Sequence, residues 1–193
     1  AAQRPPLVDQ YHPQVGDSVV YFPQGHIELL HLFSEEARHP WLSFPQRWPV
    51  VLCRVVGISY QFPTMTEHRI STSVVAVLTL IVTGWPNRPR IINNTYHADF
   101  LEPRSSRHSA GNEITFSVNM RACDGIPDFI IPEHRFQRST KLQWYEGLRI
   151  RVPYQEAGPD GEPVFQMFGG RVHKLESSQA EWPHSLWESL VVQ

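Results

Sequence analysis

Seventeen prolines, against eleven glycines in 193 residues, cut this chain into runs too short for long helices. Proline fixes φ and removes a backbone donor, so it ends helices and is confined to the edges and ends of strands. The expectation is many short elements divided by stiff connections, and the runs between the prolines read mainly as strands. Ile114, Phe116, Val118 and Met120 alternate with Thr115, Ser117 and Asn119, the pattern of a half-buried strand. Val50 to Tyr60 and Val74 to Val82 are apolar on both faces, which predicts central, covered strands. Further strands are expected at Ser18 to Phe22, Leu148 to Tyr154, Phe165 to Leu175 and Trp187 to Val192. Gly84-Trp85-Pro86-Asn87 reads as a turn after Val82, and Ala157-Gly158-Pro159-Asp160-Gly161 as the turn before Phe165. One helix is predicted, His26 to Arg38, from the three-and-four spacing of Ile27, Leu29, Leu30, Leu32 and Phe33, with Pro40 ending it.

Together these elements predict a mostly β protein made of two small SH3-like barrels with a short helix and a linker. Residues 1–14 form a lead-in. Residues 15–139 form the first barrel with its helical insertion and linker, and the hydrophobic peg Pro127-Asp128-Phe129-Ile130-Ile131-Pro132 lies near its end. Residues 140–193 form the second barrel. Its last residues, Leu190-Val191-Val192-Gln193, read as a strand cut before its end, as in a piece excised from a longer protein.

Composition narrows the function. With 17 Lys+Arg against 19 Asp+Glu the net charge is −2, so the basic footprint of a dedicated duplex-DNA binder is missing and only local basic patches remain. No run approaches the roughly 18 apolar residues that span a membrane, and no signal-peptide pattern opens the sequence. Cys53 and Cys123 are too few and too far apart for a disulfide framework, which suits a reducing compartment. Nucleophile elbow, HExxH, P-loop and GxGxxG patterns are all missing, so neither an enzyme nor a cofactor is expected. The ten histidines are scattered along the chain, unlike the clustered ligands that a zinc site needs.

The aromatics carry more information. Tyr21 and Phe22 in the first half, and Trp144, Tyr154, Phe165 and Phe168 in the second, fall near expected strand ends. Rings at a barrel mouth can surround a methylated ammonium by cation–π attraction. Asp160 or Glu162 in the intervening turn would add a carboxylate to such a cage. The competing reading is that the same rings fill the cores of small barrels, with Trp144 packed between the halves.

Two resemblances bear on these readings. Tyr11-His12-Pro13-Gln14-Val15-Gly16-Asp17, with Val20-Tyr21-Phe22, Gln24-Gly25-His26, Ile126-Pro127-Asp128-Phe129 and Gly169-Gly170-Arg171-Val172, resembles the cryptic Tudor region of bromodomain-and-WD-repeat proteins of the PHIP type. That resemblance implies Tudor-like barrels in a nuclear chromatin protein that bind a histone tail carrying methylated lysine. Where that family often has a Trp-Trp pair, this sequence has Met167 and Phe168. The second resemblance rests on Tyr21-Phe22-Pro23-Gln24-Gly25-His26-Ile27-Glu28, Leu52-Cys53-Arg54-Val55, Phe129-Ile130-Ile131-Pro132 and Trp182-Pro183-His184-Ser185-Leu186-Trp187. These are similar to the Tudor-like dimerisation and ancillary segments that flank the DNA-binding domain of plant auxin response factors. The second resemblance implies a homodimer or scaffold with no ligand of its own; the cue for it in the residues is the predicted helix, whose Leu29, Leu32 and Phe33 offer an apolar face to a second copy. No segment the size of that DNA-binding domain follows the Val74 strand, which favours the chromatin-reader arrangement at this level.

Overall fold

The computed structural model describes residues 11–33, 40, 44, 47–63, 74–93, 95–101, 113–121, 129–157, 163–176, 182, 184–187 and 189–193. The protein is mostly β, as its periodicities predict. The elements in chain order are β1 (Ser18–Tyr21), α1 (Pro23–Phe33), β2 (Val51–Gln61), β3 (Val75–Ile92), β4 (Thr95–Leu101), β5 (Thr115–Arg121), β6 (Ile130–Pro132), α2 (Glu133–Thr140), β7 (Arg149–Ala157), β8 (Pro163–Leu175) and β9 (Leu190–Val192).

The first sheet has six strands in the order β4-β3-β2-β1-β6, with β5 also on β3. Every pairing in it is antiparallel. Short β1 lies between β2 and β6, and Val19, Val20 and Tyr21 on it are wholly buried. A strand covered on both faces and paired on both edges has no use for polar side chains, which accounts for the run Val19-Val20-Tyr21. Strand β2 is half-buried, not covered on both faces as expected: Val51, Cys53 and Val55 are inaccessible, while Arg54 between them is exposed. Val56, 45% exposed, continues that open face, and a register shift in the pairing with β3 follows between Val55 and Gly57. The first half of β3 likewise alternates buried Leu78, Leu80 and Val82 with half-buried Val77, Thr79 and Ile81, so the burial of both faces expected for these two strands does not hold.

Strand β3 corrects the expected turn at Gly84 to Asn87. It continues through that tetrapeptide to Ile92, pairs with β4 there, and passes through a register shift between Asn87 and Arg90. Trp85 stacks on Trp48, with centroids 4.8 Å apart and an interplanar angle of 11°. That packing and the β4 ladder hold the strand extended where local turn chemistry alone would reverse it. The reversal falls instead at Asn93, where φ is +48°.

Helix α1 starts at Pro23, three residues before the expected start, with proline in the first turn where its missing N–H costs no hydrogen bond. Residues 34–39, the expected end of that helix, lie outside the described residues, as do the predicted loops at Met65 to Thr72 and Arg104 to Ser109. Helix α2 was not anticipated. Its sole buried side chain is Phe136, whose ring lies 6.0 Å from those of Phe22 and Phe100 and 6.3 Å from that of Tyr96.

The second sheet has three strands in the order β7-β8-β9, all antiparallel. The predicted strand from Trp187 is shorter than expected and begins at Leu190. Val172 and Leu175 on β8 are buried, and the side chain of Val192 occupies the space that a Cβ at Gly170 would need. Among the described residues, no helix is long and apolar enough to cross a membrane.

Candidate interaction surfaces

The ring at the centre of the first sheet is Tyr21. Phe116 lies 5.0 Å from it, His26 5.7 Å, Phe129 6.0 Å and Phe44 6.4 Å, centroid to centroid. Its hydroxyl is 2.8 Å from Nδ1 of His26, and the His26 ring stacks on Phe129 at 4.5 Å. Burial pushes the Tyr21 phenol well above its ordinary value, and it does the same to the Cys53 thiol. Phe22, next along the chain, is 6% exposed between Phe136 and Trp187. These two expected cage rings therefore lie in the hydrophobic interior. The physical reason is the position of β1, closed in by β2, β6 and both helices, so that neither ring face meets solvent.

The second-half candidates are dispersed. Trp144 is half-buried, and its Nε1–H donates to the Ser139 carbonyl at 3.1 Å. With Tyr96, Thr140, Leu175, Leu186 and Leu190 it borders a cavity of about 160 Å³ at the seam between the two sheets. It packs between the halves, as the competing reading of the sequence has it. Phe168 is 50% exposed on β8, registered opposite Val152, and its neighbour Met167 is 47% exposed opposite Pro153. Tyr154 is registered opposite Gln166, and Phe165 opposite Gln155. The side chains of Tyr154 and Phe165, and the whole of Asp160 and Glu162, lie outside the described residues. Of the six expected rings, Phe168 is the one that is exposed among the described residues. Tyr145, 60% exposed, is a further open ring in the second half.

Two arrangements escaped the sequence reading. The first joins the chain's last segment to its first helix. Trp187 donates from Nε1 to Oε2 of Glu28 at 2.7 Å, and its ring lies 6.0 Å from Phe22. It also lies so close over Gly25 that an added Cβ would come within 2.6 Å of the indole. Glycine is required there by close approach, since any side chain would have to displace the ring. The residues just after Trp187 form β9 on the second sheet, so one short segment fastens both sheets together. Nothing in local sequence could signal a pair 159 positions apart.

The second arrangement is a groove of about 490 Å³ on the three-stranded sheet, bordered by Arg149, Ile150, Arg151, Gly169, Gly170, Arg171 and Gln193. Its signal was present in the sequence: Arg149 and Arg151 alternate with the apolar residues of β7. Among the described residues, no cluster of three or more His, Cys, Asp or Glu side chains could hold a metal ion.

No protein-family model matches the chain. Over 86 residues, 44% of its length, the chain is 29% identical to auxin response factor 4 of Oryza sativa subsp. japonica. The aligned part is 10% of that protein's length. The similarity therefore falls on the second of the two resemblances seen in the sequence.

Proposed function

We propose that this chain is a non-catalytic scaffold module of a nuclear, transcription-regulating protein, one that pairs with a second copy of itself. The observation that carries the reading is the Trp187 fastening. A 2.7 Å charge-assisted hydrogen bond to Glu28 and close packing on Gly25 and Phe22 tie the C-terminal segment, and β9 with it, to the first sheet. A module that holds its two sheets in one fixed relation suits the positioning of neighbouring parts of a longer chain. The similarity to an auxin response factor supports both the transcriptional setting and the pairing, which the resemblance to that family's dimerisation segments implies. Sedimentation velocity over a hundredfold range of concentration tests it. A dimer that dissociates on dilution is expected, and a monomer at every concentration would reject self-pairing.

A second reading, recognition of a methylated lysine on a histone tail, draws support from Phe168 and Met167 standing half-exposed on one hairpin. Against it, Met167 and Phe168 are consecutive on β8 and so face opposite ways, and the Met167 face carries Arg149 and Arg151, whose charge repels a cationic guest. Titrating methylated and unmodified histone peptides separates the two readings. Tighter binding of the methylated peptides, weakened by Phe168→Ala, would favour the reader; equal or no binding favours the scaffold.

A further inference from the structure

We infer that the groove on the three-stranded sheet is a docking site for an extended acidic peptide that also carries apolar side chains. Arg149 and Arg151, two apart on β7, share one face of the sheet. The register sets Arg171 directly opposite Arg149 and Gly169 opposite Arg151. Three corners of a small square thus carry guanidinium groups and the fourth is bare backbone. Its sides are roughly 6.7 Å along the strand and about 5 Å across the ladder. All three arginines are exposed. Arg171 donates from Nη1 to the Gly147 carbonyl at 3.1 Å, and among the described residues Arg149 and Arg151 have no carboxylate partner. The acids flanking the sheet lie against other side chains: Glu146 is 3.7 Å from Nδ1 of His173, and Glu176 is 2.7 Å from Nζ of Lys174.

Gly169 makes the square a groove. A Cβ there would meet nothing within 4 Å, and its φ lies outside the left-handed region, so neither space nor backbone strain requires glycine. The missing side chain leaves ladder backbone open beneath the guanidiniums. Next to it, Gly170 accommodates the side chain of Val192, and Gln193 continues the pairing by exchanging both backbone hydrogen bonds with Arg171. These contacts fix the floor of the groove.

Guanidinium groups pair with carboxylates in bidentate fashion, and two such pairs set a register along an extended ligand. Met167, half-exposed and registered opposite Pro153, continues the arginine face beyond the charged corner, while Val152 and Phe168, registered opposite each other, lie on the reverse face. An acidic segment that also carries apolar residues matches the three arginines and Met167. A nucleic acid matches less well, because the positive patch is short and the chain around it carries a net charge of −2, too little to attract a polyanion at long range. The site is independent of the scaffold reading and stands or falls separately from it.

The test is fluorescence anisotropy of the intact chain with three labelled probes: a decapeptide alternating glutamate and leucine, its lysine–leucine counterpart, and a ten-nucleotide oligothymidylate. The acidic peptide is expected to bind saturably, weakening as salt rises, while the lysine peptide does not bind. Arg149→Glu/Arg151→Glu is expected to reduce affinity at least tenfold with circular dichroism unchanged. Gly169→Leu, which fills the groove without touching a charge, is expected to reduce it by a similar factor. The inference is overturned if the acidic peptide fails to bind, if either variant binds it as well as the parent, or if the oligothymidylate binds more tightly.

Discussion

Trp187 and Glu28 are 159 positions apart in the chain and 2.7 Å apart in the fold. A hydrogen bond from the indole N–H to an ionised carboxylate is worth more than a neutral one, and Trp187→Phe removes it while leaving an aromatic ring in place. The expected loss is about 1–2 kcal/mol of stability, read as a lowered urea midpoint with unchanged slope. Trp187→Ala also removes the packing on Phe22 and is expected to cost about 2–4 kcal/mol.

Gly25 and Trp187 are coupled through the same contact. Gly25→Ala puts a Cβ within 2.6 Å of the indole ring, so it is expected to destabilise the parent by about 1–3 kcal/mol. In the Trp187→Ala background the obstruction is gone, and the same substitution should cost much less. A double-mutant cycle measured by urea unfolding checks this, and additive effects would remove the contact from the account.

Tyr21→Phe deletes a hydroxyl that lies 2.8 Å from Nδ1 of His26, both side chains being buried. The expected cost is about 1–3 kcal/mol, from the loss of a buried hydrogen bond. Because the ring is sealed, the variant should leave peptide binding by the folded protein unaltered, which the anisotropy assay reads directly.

Alkaline pH should unfold the protein. Burial raises Cys53 above its ordinary 9.0 and Tyr21 and Tyr96 above their ordinary 10.0; for Tyr11 burial comes first, and a hydrogen bond to Asp17 and that carboxylate's charge add to it. The folded state keeps these protons where the unfolded state releases them. Their contribution is therefore complete below the unfolded values and is lost as pH rises toward the folded ones. The urea midpoint should fall from about pH 9 upward. Tyr96→Phe should lessen that fall. At neutral pH it should leave stability unchanged or raise it by up to about 1 kcal/mol, since the buried Tyr96 hydroxyl has no hydrogen-bond partner among the described residues.

What was legible in the sequence follows from which forces are local. The alternation in β5 and the apolar run of β1 record burial directly, and β2 and the first half of β3 lie where their apolar runs put them, though each buries one face only. The second half of β3 was hidden because Gly84 and Pro86 are turn residues by local chemistry, and the Trp48–Trp85 stack that overrides them is tertiary. Helix α2 was hidden because one buried Phe136 among polar residues leaves no stripe to detect. For the site, an aromatic at a strand end looks the same in sequence whether its ring faces solvent or the core. Only the placement of β1 between two partners decides that for Tyr21 and Phe22.

Differential scanning calorimetry of the parent chain and of Trp187→Ala tests the fastening of the two sheets most directly. The parent should melt in one cooperative transition, and the variant should separate into two, with the three-stranded sheet melting first. Two resolved transitions in the parent, or a variant that keeps a single transition at the parent's temperature, would contradict it.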